Sequence, residues 1–290
     1  MAIKRFSVLG GDLRSLKLAD LIKKNAPEVY IFGHEKSCIQ TDALIVKSLD
    51  FAVGNSDIVI GPVPCSPDDE NLNAPFHEGK IPINEIFRMM GKNQIFMAGR
   101  ISSKIMQLAN VYNVTIFDLL EREELSVLNS IPTAEGAIQL SMEEMAITLH
   151  NCNALVTGFG RIGKILAKML YGIGANVYAE ARRYEDLAWI KSYGYIPVHL
   201  NNLKSILPQM DVIFNTIPYI IFNEGLLLLI KNECLIIDLA SKPGGVDFEK
   251  AKILGKKVIW ALSLPGKVAP VTAAGFIKDT VFNIIDELGV

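Results

Sequence analysis

The chain has 290 residues, 50% of them hydrophobic and 21% charged, and its formal net charge at pH 7 is −2. This length predicts about two domains with packed cores. The balanced charge, without a long basic run, argues against a protein built mainly to hold nucleic acid.

The N-terminal segment and the most apolar region both argue against membrane insertion. The start, MAIKRFSVLGG, lacks the sustained apolar core of a signal peptide. Residues 217–240 form the most apolar region, but Asn, Glu and Lys side chains interrupt it, so the pattern does not predict a membrane-spanning helix. We expect a cytoplasmic protein without a membrane segment.

Cysteine and histidine are scattered along the chain. It contains no CxxC, HExxH or GxSxG sequence, which argues against a disulfide framework, a metal site and a hydrolytic serine nucleophile. We therefore expect no metal. The cysteines are Cys38, Cys65, Cys152 and Cys234, and the histidines are His34, His77, His150 and His199.

Short β-rich runs alternate with helix-like segments, the pattern of parallel sheets wrapped by helices. The predicted fold class is α/β, with two Rossmann-like domains that each hold a mostly parallel sheet flanked by helices and that are linked by crossing helices. Residues 62–82 form a polar, proline-rich loop, and a loop of this length is more often functional than idle. The strands predicted in the first half are RFSVLGG, EVYIFG, DIVIGPVP, QIFMAG and VTIFDL.

A helix predicted over residues 134–149 separates the two halves. Pro132 disfavours a helical conformation of the residue before it, and Thr133 is a suitable N-cap. We expect this helix to bridge the domains, although it also fits as an ordinary helix of either one. The predicted organisation is an N-terminal domain over 1–130, a bridging helix over 131–150, a second domain over 151–270 and a returning helix over 271–290.

The second half begins with the strongest motif of the sequence. Gly158, Gly160 and Gly163 form GxGxxG directly after the apolar run ALVT. A helix-like segment starts inside the motif with Arg161 and Ile162. In dinucleotide-binding folds these glycines permit a tight turn, the approach of the pyrophosphate and close helix–strand packing. The returning strand NVYAEA completes the expected unit, so the sequence predicts a dinucleotide-binding Rossmann domain.

The end of that returning strand bears on which nicotinamide cofactor is bound. NAD sites place an acid there for the ribose hydroxyls, whereas NADP sites offer arginine to the extra phosphate. In the register that we favour, the acid position falls on Ala181, followed by Arg182 and Arg183. Glu180 then points to the opposite face, away from the ribose, which favours NADP(H). The other register puts Glu180 on the ribose and favours NAD.

Two later segments are candidates for walls of the cofactor site. The sequence DVIFNTIP ends a predicted strand with Asn215, Thr216 and Pro218. In this fold such a segment passes beside the nicotinamide-side half of the cofactor. The sequence DLASKPGGVDF ends the next strand with Ser241 before a glycine pair. That turn is either a plain strand-to-helix turn or a close approach of the backbone to a ligand.

The last connection, residues 261–276, combines two prolines with two glycines and a lone lysine. The prolines fix its path, and Gly266 lets the backbone pass close to a cofactor or substrate. Lys267 and the N–H groups near Thr272 would then face an anionic ligand, at the start of a final helix predicted over 272–288. A rigid hinge with a solvated lysine is the alternative.

The chain resembles a known family over nearly its full length. In order and spacing, its motifs are similar to those of the A subunit of dipicolinate synthase from endospore-forming bacteria. The chain departs from that family at EARR (180–183), where GARS-like residues are common, which makes the assignment of NADP less secure. The shared motifs are GGDLR (10–14), IPTAEGAIQL (131–140), LVTGFGRIGK (155–164), NTIP (215–218), DLASKPGGVDF (238–248) and LPGKVAPVTAAG (264–275).

The resemblance implies an N-terminal Rossmann-like substrate domain followed by an NADP-binding Rossmann domain. Such proteins oxidise a dihydro- or 4-hydroxy-tetrahydrodipicolinate, taken from the lysine pathway, to dipicolinate (pyridine-2,6-dicarboxylate). They work in the mother cell during sporulation with the small, flavoprotein-like B subunit of dipicolinate synthase. We therefore expect this B subunit to be a partner, and we expect the protein to be oligomeric.

A dicarboxylate substrate requires cationic and N–H partners, ideally bidentate arginines. Arg14 and Arg100 follow predicted strands of the first domain and are the candidate substrate-binding side chains, together with Gly266 and Thr272 of the last connection. The candidates for proton transfer, which the sequence does not rank, are Asp12, His77 and Lys267.

Two other functions stay open. A 2-hydroxyacid or methylene-folate type dehydrogenase shares the two-domain layout. A hydroxyacid enzyme would use an Arg-Glu-His set in the second domain, where His199 falls in mid-sheet by pattern. The other is a non-catalytic, regulatory protein that binds NADP, and the long loop and a lysine that looks buried argue against it.

Overall fold

The computed structural model describes residues 4–26, 28–37 and 40–289. The chain divides into two compact units, one formed by Met1–Leu128 with Ala269–Val290 and the other by Asn129–Val268. Each unit holds a six-stranded parallel sheet with helices on its faces. The expected α/β fold class with two Rossmann-like domains is confirmed.

The first unit alternates strands and helices, and each strand predicted in the first half is present. The unpredicted β3 has two exposed residues, too few to give a pattern. The elements are β1 (Phe6–Leu9), α1 (Leu13–Lys23), β2 (Val29–Phe32), β3 (Leu44–Ile45), α2 (Leu49–Gly54), β4 (Ile58–Ile60), α3 (Ile83–Met89), β5 (Ile95–Ala98), α4 (Ser103–Val111), β6 (Thr115–Asp118) and α5 (Glu123–Leu128).

The second unit repeats this alternation. Its elements are α6 (Ser130–Glu144), β7 (Asn153–Thr157), α7 (Arg161–Ile173), β8 (Asn176–Ala181), α8 (Tyr184–Ser192), β9 (Ile196–His199), α9 (Leu203–Ile206), β10 (Val212–Asn215), α10 (Glu224–Leu227), β11 (Leu235–Asp238), α11 (Phe248–Ile253), β12 (Lys257–Trp260) and α12 (Leu264–Val268). One more helix, α13 (Pro270–Leu288), ends the chain and belongs to the first unit.

The two sheets have the same strand order. The first is β3-β2-β1-β4-β5-β6, and the second is β12-β11-β10-β7-β8-β9, which is the same order read from the other edge. In each sheet the chain changes direction of winding between two neighbouring strands, β1 and β4 or β7 and β10. In open α/β sheets, ligands bind in the crevice at the carboxyl ends of such a strand pair.

Both sheets are covered on both faces, which explains why their strands read as continuous apolar runs. In β1, Phe6 and Val8 pack into a cluster with α1 and α13, whereas Leu9 packs into another with α3 and α4. In β7, Val156 and Leu155 divide in the same way between two clusters. The apolar cores therefore hold the strand ends, and the turns that follow them, in fixed positions.

The structure corrects the expected bounds of α6. The helix runs from Ser130 to Glu144 rather than over 134–149. Pro132 lies in its first turn, where a missing N–H costs no intrahelical bond. Thr133 is not the N-cap, because its hydroxyl donates to the carbonyl of Asn129 at 2.8 Å. The helix packs on α7 and α12 of the second unit, and its role as a bridge stays a prediction.

The last connection is more regular than expected. It contains α12, and Gly266 is buried inside that short helix rather than in an open loop. Gly136 of α6 packs closely there, because a Cβ on it would lie 3.1 Å from the Cβ of Leu264. The final helix α13 begins at Pro270, two residues before the predicted start, since proline is well suited to a first helical position.

Candidate functional site

The glycine turn between β7 and α7 has the geometry that the GxGxxG motif predicts. Gly158 has a φ of +86°, and a Cβ on it would lie 2.6 Å from the hydroxyl oxygen of Thr216. A Cβ on Gly163 would lie 2.0 Å from the carbonyl oxygen of Gly158. A Cβ on Gly160, in contrast, would meet no atom within 4 Å. Two glycines are thus required by the fold, and the third leaves open space beside the turn.

The N-terminus of α7 faces that open space without a side-chain cap. Gly160 is the N-cap residue and offers no side chain to the first N–H groups. Arg161 and Ile162 are the first two residues of the helix. Uncapped N–H groups and the positive end of the helix dipole together attract an anion. The turn therefore fits a phosphate or pyrophosphate group.

A cavity of about 770 Å³ opens beside this turn. Its walls combine the glycine turn, the end of β8 with the residues that follow it, and apolar side chains after β9 and β10. Its size and mixed lining suit the adenosine half of a dinucleotide. The lining residues are Gly158, Phe159, Gly160, Glu180, Ala181, Arg182, Arg183, Asp186, Leu200, Ile217, Tyr219, Ile220, Ile221 and Leu226.

Glu180 corrects one expectation from the sequence. We expected its side chain to point away from the cofactor, but it lines the cavity, and its Oε2 accepts a hydrogen bond from the N–H of Gly158 at 3.0 Å. The residue is 1% exposed, and its Oε1 has no hydrogen-bond partner among the described residues. Burial raises the pKa of this carboxyl above its ordinary value, although the Gly158 N–H partly opposes the shift.

The two arginines after β8 have different surroundings. Arg183 is held by the acids of the first turn of α8, with Nε donating to Asp186 and Nη1 to Glu185, each at 2.8 Å. Arg182 is exposed and has no ion-pair partner in the described parts of the chain. Of the two predicted phosphate ligands, Arg182 is therefore the one whose guanidinium is available.

The polar side chain of Asn215, at the end of β10, makes hydrogen bonds within the protein. The Asn215 side-chain oxygen accepts from the hydroxyl of Thr157 and the N–H of Ile217, at 2.8 and 3.2 Å. Its amide nitrogen donates to the carbonyl of Ile217 and to Asp238, at 3.0 and 2.8 Å. These four bonds use the full hydrogen-bonding capacity of the amide. Asn215 was predicted as a wall residue of the cofactor site, and its contact with the cofactor stays a prediction.

Three neighbouring predictions concern the same edge of the sheet. Thr216 donates to the carbonyl of Thr157 at 2.8 Å, which ties its hydroxyl to the glycine turn. Pro218 and Ser241 are exposed in the turns that follow β10 and β11. Their contacts with a cofactor stay predictions. The neighbouring Ile217, which the sequence did not single out, lines the cavity.

In the first unit, the equivalent turn after β1 holds an ion pair. Asp12 caps α1 by accepting from the N–H of Arg14. The Asp12 carboxylate also accepts from Arg14 Nε at 2.9 Å and Nη2 at 2.8 Å. Arg14 is 6% exposed and donates from Nη2 to the carbonyl of Val63 after β4. The predicted substrate arginine and the predicted proton-transfer acid are thus each other's partners.

His77 lies near this edge with a carboxylate partner that the sequence did not reveal. Its Nδ1 is 2.9 Å from Oε2 of Glu35, which follows β2. Burial alone would raise the pKa of Glu35, but the hydrogen bond from His77 and a backbone contact leave that pKa below its ordinary value. His34 is 3% exposed, and neither ring nitrogen has a partner among the described residues. Burial lowers the pKa of His34, so this ring is neutral at pH 7.

The remaining candidates are dispersed. Arg100 follows β5 with a φ of +57°, its N–H donates to Asp118 at 2.8 Å, and its side chain is exposed. Thr272 is exposed in the first turn of α13, which no side chain caps. Lys267 lies in the last turn of α12 and is exposed, so the expectation of a buried lysine is wrong.

Another sequence expectation fails at His199. It is the last residue of the edge strand β9 rather than a mid-sheet residue, and its ring stacks on Tyr184 with centroids 5.4 Å apart. Within residues 4–26, 28–37 and 40–289, His, Cys, Asp and Glu side chains form no group of three that could hold a metal ion. Over the same residues, no helix has the length and apolar character to cross a bilayer. Cys38 lies outside the described residues.

Sequence reasoning missed Glu35 and His34, and it gave the inward position of Glu180 only as the alternative register. The first two directly follow β2 and Gly33, so the rule that selected Arg14, polar residues at strand ends, could have found them. The side-chain direction of Glu180 depends on the register between β7 and β8, in which Thr157 pairs with Glu180. No local pattern fixes that pairing.

Comparison with known proteins gives matches over most of the chain. A family model described as the N-terminal domain of the dipicolinate synthase A subunit matches residues 5–120. A model of the D-isomer specific 2-hydroxyacid dehydrogenase NAD-binding domain matches residues 129–243. The second unit is therefore a nicotinamide-dinucleotide-binding domain of the dehydrogenase type.

Three individual proteins extend these matches. The A subunit of dipicolinate synthase from Bacillus subtilis (strain 168) is 30% identical over 98% of this chain and 96% of its own. The crystal structure of the same kind of subunit from Bacillus halodurans superposes with a TM-score of 0.90 at 28% identity, over 97% of each chain. The crystal structure of the Bacillus subtilis protein gives a TM-score of 0.88 at 29% identity, over 100% of this chain and 98% of that one.

Proposed function

The chain belongs to the family of dipicolinate synthase A subunits, as the sequence motifs indicated, and from this premise we propose that it oxidises a dihydro- or 4-hydroxy-tetrahydrodipicolinate to dipicolinate. The observation that carries the proposal is the match of the first unit. A dinucleotide-binding domain like the second unit serves many dehydrogenases. The N-terminal domain is the part that is particular to this family.

The chemistry of the reaction is an aromatisation. A 4-hydroxy substrate first loses water to give the dihydro compound. The dihydro compound then loses two electrons and two protons to give the aromatic pyridine-2,6-dicarboxylate. The nicotinamide cofactor, when bound, supplies the two-electron acceptor. Because aromatisation itself provides driving force, we propose that the protein contributes mainly by orienting the ring and removing a proton.

Residues at the carboxyl edge of the first sheet support the recognition of a dicarboxylate. Arg14 is buried, and Asp12 fixes its guanidinium through Nε and Nη2, which leaves Nη1 as the group that we propose binds a substrate carboxylate. Arg100 offers a second, exposed guanidinium. His77, with its ring held by Glu35, is the proton acceptor that we favour among the three candidates.

We further propose that the cofactor is NADP(H), with Arg182 as the ligand of the 2′-phosphate. Arg182 borders the cavity and is exposed, while its neighbour Arg183 is already bound to two acids. Arginine matches phosphate geometry with several donors, whereas an NAD site would use an acid. The match to an NAD-binding domain supports a nicotinamide cofactor of either kind.

The partner and the cellular setting follow from the family in the same way. The lettered name of the Bacillus subtilis relative implies that its synthase has more than one kind of polypeptide. We propose that the partner of this chain is the flavoprotein-like B subunit, and that the complex works in the cytoplasm of the mother cell during sporulation.

One assay tests the main proposal. The purified chain, with and without the B subunit, is mixed with the product of dihydrodipicolinate synthase and with NADP or NAD, and both the reduced cofactor and dipicolinate are followed by absorbance. We expect both to appear together, and the Arg14→Lys variant to lose activity mainly through a higher KM. Cofactor binding without any dipicolinate, under all these conditions, would contradict the proposed reaction.

A 2-hydroxyacid dehydrogenase is the second candidate, because the family model of the second unit carries that description. Against it, neither histidine of that unit is among the residues that line the cavity: His150 binds the carbonyl of Ile173, and His199 stacks on Tyr184. A panel of 2-keto acids with NADH or NADPH distinguishes the two candidates. Reduction of a 2-keto acid without formation of dipicolinate would favour the hydroxyacid dehydrogenase.

A further inference from the structure

Glu180 is an unusual residue for the end of an inner strand. It is 1% exposed, it lies beside the glycine turn, and it forms part of the cavity wall. One carboxylate oxygen accepts from the N–H of Gly158, but Oε1 has no partner among the described residues. Leaving a buried carboxylate oxygen without a donor is costly. The fold itself does not require this acid, because a small residue would avoid the cost.

A ligand in the cavity can supply the missing donor. The cavity is bounded by Gly160, where no protein atom occupies the space beside the turn, and by the chain from Ala181 to Arg183. These are the surroundings of the ribose next to adenine in a dinucleotide. Ribose hydroxyl groups are hydrogen-bond donors, so a carboxylate at this place would bind an unmodified ribose.

The same carboxylate acts against a phosphorylated ribose. A 2′-phosphate removes the 2′-hydroxyl donor and adds negative charge near the buried carboxyl of Glu180, where like charges repel more strongly than in water. Arg182 lies close enough to Glu180 to lower its pKa by charge interaction. One exposed guanidinium and one buried carboxyl group therefore border the same cavity.

We propose that Glu180 is a specificity-determining residue that opposes Arg182, so that NAD(H) also binds at the site proposed above for NADP(H) instead of being excluded. Glu180 has this role only if the chain binds a nicotinamide dinucleotide as proposed above. The preference then depends on the balance between one group that binds the 2′-phosphate and one that disfavours it.

Binding measurements without substrate test this role. Dissociation constants of NADP and NAD are measured by calorimetry for the wild type, for Glu180→Gln and for Arg182→Ala. The glutamine keeps the shape and the acceptor for Gly158 but removes the charge. We expect Glu180→Gln to shift the ratio of the two constants toward NADP by about tenfold. Arg182→Ala should shift it in the opposite direction.

A control separates this effect from net charge. Glu249 is exposed on α11 in the same unit and is not among the cavity-lining residues. The Glu249→Gln variant has the same net charge as Glu180→Gln and should leave the ratio unchanged. Thermal melts check that Glu180→Gln is folded, and Glu180→Ala serves as a second variant with the same expected direction.

The outcomes are distinct. An unchanged ratio in both Glu180 variants, with both nucleotides still binding, would overturn the role of Glu180 while leaving the proposed function intact. An equal change in the affinities for NAD and NADP would also overturn it, because the residue would then act on the shared part of the cofactor. If neither nucleotide binds the wild type, the proposed function fails together with this role.

Discussion

The turn after β1 in the first unit and the glycine turn after β7 in the second unit lie at the same place in the same fold. They differ in what lies at the N-terminus of the helix that follows. In the first unit, Asp12 caps α1, and its carboxylate lies at the positive end of that helix. In the second unit, no side chain caps α7, and the space beside Gly160 is open. Both turns follow the strand at which the winding of the sheet reverses.

The two turns differ in the source of the negative charge at the N-terminus of the helix. A helix N-terminus attracts negative charge in either unit. The first unit provides that charge with its own aspartate, which also fixes the buried Arg14 for another role. The second unit leaves the position to a ligand. The strand order alone therefore does not make a dinucleotide site, since the residues at one helix cap change what the same crevice can bind.

The largest expected effect is at the third glycine of the second turn. A Cβ introduced by Gly163→Ala would lie 2.0 Å from the carbonyl oxygen of Gly158, a backbone atom that cannot rotate away. We expect a loss of about 3 kcal/mol or more in the free energy of unfolding of this unit, and loss of cofactor binding. Urea denaturation and calorimetry measure the two effects.

Gly160→Ala is the matched variant for that experiment. A Cβ there meets no protein atom within 4 Å, so stability should stay near that of the wild type while dinucleotide binding weakens. If Gly160→Ala unfolds the protein, or binds cofactor as tightly as the wild type, then the space beside the turn does not serve the ligand.

The next largest effect is expected at the ion pair of the first turn. Asp12→Ala leaves the guanidinium of Arg14 buried without its partner, which should cost about 3 kcal/mol of stability. Cofactor affinity, which depends on the second unit, should be unchanged. Denaturation and cofactor binding are measured on the same variant.

The exposed pair of Lys104 and Glu70 in the same unit provides the control. Exposed ion pairs contribute little to stability, so Glu70→Gln should not measurably change the unfolding curve. Equal destabilisation by Asp12→Ala and Glu70→Gln would show that the buried ion pair of Asp12 and Arg14 contributes no more to stability than an exposed pair.

A smaller effect is expected for the two arginines after β8. Arg182→Ala should raise the dissociation constant of NADP about tenfold, because a charge-assisted hydrogen bond is lost, and should leave NAD binding nearly unchanged. Arg183→Ala should have less effect, since Arg183 is already bound to Glu185 and Asp186. Equal losses for both nucleotides, or a greater loss at Arg183, would contradict the assignment of the phosphate ligand.

The smallest expected effect is a pH dependence of stability that comes from Glu180, beside the glycine turn of the second unit. Burial raises the pKa of this group in the folded protein above its unfolded value of about 4.3. Its contribution to stability is therefore fully present below that unfolded value and is lost as the pH rises through the folded value. Urea denaturation from acidic to neutral pH should show this loss in the wild type.

The Glu180→Gln variant should lack that part of the pH dependence, because its amide does not titrate. Identical slopes of stability against pH for the wild type and Glu180→Gln would mean that the carboxyl has the same pKa in the folded and unfolded chains.

The features that could be predicted from the sequence are those that depend on the spacing of neighbouring residues. Gly158, Gly160 and Gly163 could be assigned separate roles, because the motif lies between a strand and a helix that each have a clear pattern. The central strands were also found, since a sheet buried on both faces leaves continuous apolar runs. The two-residue strand β3 leaves no such run.

What the sequence could not predict are pairings between distant residues. Asn215 was assigned to the cofactor, but Asp238, 23 residues later, and Thr157, 58 residues earlier, use its amide. Glu35 and His77 meet across 42 residues. The inward position of Glu180 depends on strand register. Each of these contacts is set by tertiary packing, which a single sequence does not display.

The placement of α13 has a consequence for how the chain is made. Ile277, Val281 and Ile284 of α13 are buried in one cluster with Leu16 and Ile22 of α1. The first unit therefore combines both ends of the chain, whereas the second is one uninterrupted segment.

Protein synthesis delivers the N-terminal end first. The first unit must therefore wait, with part of its apolar surface uncovered, until α13 has left the ribosome, whereas the second unit needs no residue after Val268. A purified chain that ends at residue 268 keeps the whole of the second unit, so it should bind dinucleotide while its N-terminal half stays sensitive to protease.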